Sequence, residues 1–140
     1  MSLPLDHIGI FVTSLDDAVP FYRKALNAVE PIVREVPELG LRLAFFADGG
    51  DTIIELVEAS GKTEMVQGDV VVALEVEDLD AEIARLKAEG IRVHDQKPTE
   101  NLPLRRGWMA KREGLNTIIE LCPKGEVARF VRGELSGRAG

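Results

Sequence analysis

The chain is predicted to fold as α+β, from two tandem βαβββ modules, and three features of its 140 residues point there. The pentapeptide Thr-Ile-Ile-Glu-Leu occurs at Thr52–Leu56 and again at Thr117–Leu121, each time after a turn former, Asp51 or Asn116. Such self-similarity at long spacing marks a duplicated structural unit. The segment Val12–Ala18 aligns in the same way with Val76–Glu82: an apolar run ends, Ser14 or Asp78 offers an N-cap, and a helix-period segment begins. The rest is divided into short β-rich runs separated by glycine-containing turn pairs.

The elements follow in order. Leu5–Val12 reads as a strand, and Leu15–Leu26 as a helix with Ala18, Phe21, Tyr22 and Leu26 on one face. Pro20 falls within its first turns, where a missing N–H costs least. Strands are expected at Pro31–Val36, Leu41–Ala47 and, after Gly49-Gly50, at Thr52–Val57. Module one thus spans 4–58, and a polar linker follows over 59–68. Module two, 69–123, repeats the pattern: strand Val70–Val76, then a helix Leu79–Glu89 with Ile83, Leu86 and Ala88 apolar and Gly90 closing it. Strands at Arg92–Asp95, Gly107–Arg112 and Thr117–Cys122 complete it, the last two joined at Glu113-Gly114. In the tail, 124–140, Glu126–Leu135 is expected as a short helix using Val127, Phe130 and Val131, with Ser136–Gly140 frayed.

Seventeen Lys and Arg against 24 Asp and Glu give a net charge of −7, which argues against nucleic acid or an anionic membrane as partner. The length suits one domain. No stretch reaches transmembrane length, and no signal segment opens the chain. Cys122 is the single cysteine. It is expected as a small buried side chain in the last strand, and a reducing cytoplasm fits.

The repeat also organises the candidate chemistry. Each pentapeptide carries a carboxylate, Glu55 or Glu120, at the same point of its strand, and His7 heads the first strand. One imidazole and two carboxylates on related strands suit a divalent ion of the Zn, Ni, Co, Mn or Fe kind, with positions left for water or substrate. Taken singly, a strand histidine is more often a hydrogen-bonded core residue and a strand glutamate points to water; the duplication is what joins them.

With these residues in view the chain resembles the vicinal oxygen chelate superfamily of glyoxalases, epimerases, extradiol dioxygenases and drug-resistance proteins. The matching stretches are Leu5–Ile10, Ser14–Ala18, Phe21-Tyr22 and Ile54–Leu56. In module two they are Ala73–Leu79, Glu89–Ile91 and Glu113–Asn116 leading into Ile119–Leu121. The likeness is nearest to the methylmalonyl-CoA epimerase and glyoxalase I branch. It implies a curved eight-stranded mixed sheet around a cleft, a homodimer, and metal ligands His7, Glu55 and Glu120. Two departures stand out: Val71 where the family carries a second histidine, and Leu43 where epimerases carry a catalytic glutamate. His94, the only other histidine, reads as a surface residue. In this fold Arg42, Arg105, Arg106, Trp108 and Lys111 would flank the cleft, with Arg105, Arg106 and Trp108 the candidates for gripping substrate.

The resulting expectation is a metal-dependent isomerase or lyase acting on a small oxo or acyl substrate through an enediolate or enolate, with Glu120 moving the proton. The alternative is a metal-free small-molecule binding or resistance protein of the same fold, motivated by Val71 and Leu43.

Overall fold

The computed structural model describes residues 1–61 and 63–135, so the Ser136–Gly140 segment expected to fray lies outside it. In chain order the elements are β1 (Leu5–Phe11), α1 (Leu15–Leu26), β2 (Ile32–Val36), a 3₁₀ turn (Pro37–Leu39), β3 (Leu41–Gly49) and β4 (Thr52–Ala59). Then come β5 (Val70–Val76), α2 (Leu79–Ala88), β6 (His94–Gln96), β7 (Arg106–Met109), β8 (Ile118–Pro123) and α3 (Glu126–Val131). All eight strands join one mixed sheet in the order β2-β3-β4-β1-β5-β8-β7-β6, curled into a half-barrel.

The duplication is visible in the register. β1 runs parallel to β4 with Gly9 opposite Glu55, and β5 runs parallel to β8 with Ala73 opposite Glu120. Gly9 and Ala73 are therefore equivalent, as are His7 and Val71 two residues earlier. The modules meet along an antiparallel seam in which Gly9 pairs with Val71 and His7 with Ala73.

Period-2 alternation sends one set of side chains outward, where α1 and α2 cover them. Val12, Leu15, Ala44, Phe46 and Leu56 form the cluster beneath α1, and Val76, Leu79, Leu86, Met109 and Leu121 the one beneath α2. The inner face is closed at one end by α3 and the 98–104 loop: Val127, Phe130, Val131, Leu102 and Leu104 pack on Phe45, Ala73 and Cys122. The other end stays open as a cleft. Both N-caps form, Ser14 accepting from the Asp17 N–H at 3.2 Å and Asp78 from that of Ala81 at 3.0 Å.

Several details differ from the sequence expectation. The buried face of α1 is Leu15, Ala18, Val19 and Tyr22, whereas Phe21 is 63% exposed and Leu26 41%. The heptad-like spacing from Leu15 sets this face, and Phe21 lies edge-on against Tyr22 outside it. In α2 it is Leu79, not Ala88, that joins Ile83 and Leu86. β7 ends at Met109, because successive turns occupy 110–116 and Leu115 and Asn116 take positive φ. β6 shifts to His94–Gln96, and α3 stops at Val131.

Candidate active site

His7, Glu55 and Glu120 come from β1, β4 and β8, three of the four central strands, and all point to the inner face. Each is buried, at 3%, 7% and 7% exposure. His7 Nε2 lies 3.2 Å from Glu55 Oε1 and 3.9 Å from Glu120 Oε1. The other ring nitrogen, Nδ1, is 2.7 Å from Asp6 Oδ2. Strict alternation would put Asp6 on the outer face, but the β1–β5 register slips between Leu5 and His7. That bulge re-aims Asp6 alongside the ring.

The charges need an answering cation. Two carboxylates face one imidazole at short range, and burying them unpaired is costly. Burial lowers the His7 pKa, but hydrogen bonds to Asp6 and Glu55 and the charges of Glu55 and Glu120 outweigh it, so the imidazole is pushed up to about 10. An imidazolium answers the need as the chain stands, and a metal ion would answer the same need. Arg106 adds a second cation, its Nη1 lying 3.2 Å from Glu120 Oε2, while its buried Nε–H has no partner among the described residues.

His7, Glu55 and Glu120 are residue types that hold a divalent ion, and among the described residues Asp6, His7 and Cys122 form the group whose ligand atoms all lie within 4.8 Å of one another. With Nδ1–H donated to Asp6, loss of the Nε2 proton would leave that nitrogen's lone pair on the side of the two acids, the carboxylate–histidine arrangement typical of metal-ligating imidazoles. Ligand bonds of about 2.0–2.2 Å put tetrahedral neighbours about 3.3–3.6 Å apart; the 3.2 Å His7–Glu55 edge is close to that, the 3.9 Å His7–Glu120 edge is longer, and the two glutamates would have to swing inward to share one ion. A void of about 10 Å³, about one water in size, is bounded by His7, Glu55, Glu120 and Arg106 together with Leu104 and Phe130. Val71 faces the cleft and offers no lone pair. Gly9 matters for space: a Cβ there would sit 3.2 Å from Val71 Cβ and 3.4 Å from Glu55 Oε1.

Above this floor opens a cleft of about 270 Å³. Its walls are apolar, including Phe11, Leu41, Leu43, Val57, Val71 and Ile118. Thr63 and Met65 of the linker form its rim, and Gln96, Arg106 and Trp108 face it from β6 and β7. Lys111 holds the linker in place by pairing with Asp69 and donating to the Glu64 carbonyl at 3.1 Å.

Of the three predicted grip residues, Arg106 and Trp108 line the cleft and Arg105 does not. Arg105 donates Nε to Asp95 at 3.0 Å and Nη2 to Asp80 at 2.6 Å, which commits it to the α2–β6 side. Arg42 is likewise held by Glu35 and Glu58. His94, expected at the surface, is half-buried and stacks on Trp108 with ring centroids 4.2 Å apart. Cys122 is fully buried as expected, its S–H lying 3.2 Å from Glu120 Oε1. Burial pushes that thiol far up, so it is inert as a nucleophile. Asp6, Gln96 and Met65 were not foreseen. Adjacency to His7 gave no signal for Asp6, because strand alternation sends neighbours to opposite faces.

The model of the Glyoxalase/Bleomycin resistance protein/Dioxygenase superfamily matches residues 4–105. The uncharacterized protein YqjC of Bacillus subtilis is 29% identical over 132 residues, covering 87% of this chain and 94% of that protein. Among solved structures, a hypothetical protein from Bacillus halodurans superposes with a TM-score of 0.74 at 27% identity, over 90% of this chain and 97% of that one. Methylmalonyl-CoA epimerase from Mycobacterium tuberculosis gives 0.69 at 26%, over 86% and 87%. A Streptomyces coelicolor methylmalonyl-CoA epimerase variant in complex with 2-nitronate-propionyl-CoA gives 0.72 at 27%, over 90% and 98%.

Proposed function

This chain belongs to the Glyoxalase/Bleomycin resistance protein/Dioxygenase superfamily, and we propose that it is a divalent-metal isomerase or lyase moving a proton next to the carbonyl of a small oxo or acyl substrate. The observation that carries this reading is the convergence of His7 Nε2 with Glu55 Oε1 and Glu120 Oε1, at 3.2 and 3.9 Å, on the floor of an apolar cleft. His7, Glu55 and Glu120 would hold the ion. When bound, it supplies Lewis-acid polarisation of the substrate oxygen, which makes the neighbouring C–H acidic.

The chain's own groups do the rest. Asp6 fixes the His7 tautomer, so that Nε2 faces the acids. Arg106 holds Glu120 by Oε2, so Oε1, when not engaged by the ion, would be the oxygen that takes and returns the substrate proton. The apolar walls exclude water, which would otherwise compete for that proton. Leu43, 2% exposed, offers no second base, so one glutamate serving a single face of the carbon suits isomerisation or elimination better than two-base epimerisation.

The test is uptake of Zn, Ni, Co, Mn or Fe, followed by melting temperature in the parent, Glu120→Gln and Val71→His. Binding is expected in the parent, weaker in Glu120→Gln and tighter in Val71→His, with solvent deuterium entering a suitable oxo substrate only in the loaded protein. Absence of uptake in all three refutes the reading.

A second reading, a metal-free small-molecule binder, draws on the apolar Val71 and on Arg106, which already balances part of the Glu120 charge. Ligand binding that ignores chelators would favour it. We also carry a homodimer and a cytoplasmic setting as proposals. Exposed Ile32 and Val33 on edge strand β2, with Phe21 and Val29 nearby in sequence, offer apolar surface for a second copy. Sedimentation reads that directly.

A further inference from the structure

We propose that the substrate of this cleft is a small 2-oxo acid with a branched apolar substituent, and not a nucleotide thioester; this rests on the metal-enzyme reading above and narrows it. Three observations carry it. First, at about 270 Å³ the cleft falls just below the roughly 300–1,000 Å³ of drug-sized sites. Its wall is largely hydrocarbon, from Leu41, Val57, Val71, Ile118 and Met65, with Trp108 also in the lining. A branched aliphatic group is the matching occupant.

Second, the charged groups of the lining, Glu55, Glu120 and Arg106, gather at the floor, with Thr63 and Gln96 the neutral polar members elsewhere. Arg106 commits Nη1 to Glu120 and has an unpartnered Nε–H, so its guanidinium has donor capacity for one carboxylate oxygen beside the His7, Glu55 and Glu120 cluster. A 2-oxo acid presents two adjacent oxygens to that floor and its substituent to the wall. Third, three described cations near the cleft in sequence are already paired. Lys97 and Arg105 bind Asp95 at 2.9 Å, and Lys111 pairs with Asp69. A chain of net charge −7 with these cations engaged offers a polyphosphate tail little attraction among the described residues.

Trp108 is the sole tryptophan and lines the cleft, so its fluorescence reports occupancy without any turnover. The full chain is titrated with 4-methyl-2-oxopentanoate, pyruvate and coenzyme A, each with and without Zn²⁺. Each buried methylene contributes roughly fourfold in affinity, so the branched acid is expected to bind at least about tenfold more tightly than pyruvate. Coenzyme A is expected to leave the signal unchanged. Met65→Ala, which removes wall hydrocarbon without adding charge, is expected to weaken the branched acid about tenfold and pyruvate by less. Equal binding of the two acids, tighter binding of coenzyme A, or equal effects of Met65→Ala on both acids overturns the inference. The metal reading fails separately: a branched acid that binds equally with and without Zn²⁺, in a chain whose melting temperature ignores metal, keeps the substrate class and removes the ion.

Discussion

Asp6 makes no contact with the proposed ion position, yet it sets which nitrogen of His7 faces Glu55 and Glu120. Asp6→Asn keeps the shape and removes the charge that holds the Nδ1 proton. Metal affinity is expected to fall about 10–100-fold, read by calorimetric titration. Gly9 is the opposite case, important for what it lacks. Gly9→Ala places a methyl 3.2 Å from Val71 Cβ, and both sit on paired central strands that cannot part. A loss of about 1–3 kcal/mol is expected by urea unfolding, and a fully neutral result would show that the seam is looser than it looks. The two residues also differ in legibility. His7, Glu55 and Glu120 could be found because duplication put the acids at matched positions. Asp6 could not, since alternation assigns neighbours to opposite faces and a one-residue bulge cancels that assignment.

Among the elements, the 3₁₀ turn and the 98–104 loop form a clamp centred on Glu38. Its Oε1 accepts from Asn101 Nδ2 at 2.8 Å, and its Oε2 from Thr99 Oγ1 and the Asn101 N–H, both at 2.7 Å. The clamp delivers Leu102 and Leu104 to the inner core. Hydrogen bonds from Asn101 and then Thr99 lower the Glu38 pKa from 4.5 to about 2. A depressed carboxyl stabilises the fold fully above its unfolded value, and the contribution is lost as pH falls through the folded one. Melting temperature is therefore expected to drop between about pH 4.5 and 2, and Glu38→Gln should remove part of that slope. An unchanged slope in the variant would assign the acid sensitivity elsewhere. Helix entry gives a simpler prediction: Ser14→Ala is expected to cost about 1 kcal/mol in chemical denaturation, through the unsatisfied Asp17 N–H.

For the molecule as a whole, the site exists only because two modules share one sheet. β4 and β1 bring Glu55 and His7, and β8 brings Glu120 from the other module across β5. An ion bridging them ties module one to module two, so its binding should raise the stability of the entire fold. At a hundredfold excess over Kd the gain is about 2.7 kcal/mol, or roughly 9 °C in melting temperature for a chain of this length, and a chelator should reverse it. The residues alone carried the βαβββ repeat, the helix starts at Ser14 and Asp78, the paired acids and the histidine, because those signals are local: period, cap and turn chemistry are written within a few positions. Folding in three dimensions settled the rest. It turned Arg105 towards Asp80 and Asp95, stacked His94 on Trp108, exposed Phe21, brought Met65 over the cleft and swung Asp6 to the ring. Those outcomes depend on which distant strands become neighbours and on where a bulge shifts their register, and no window of consecutive residues contains that information.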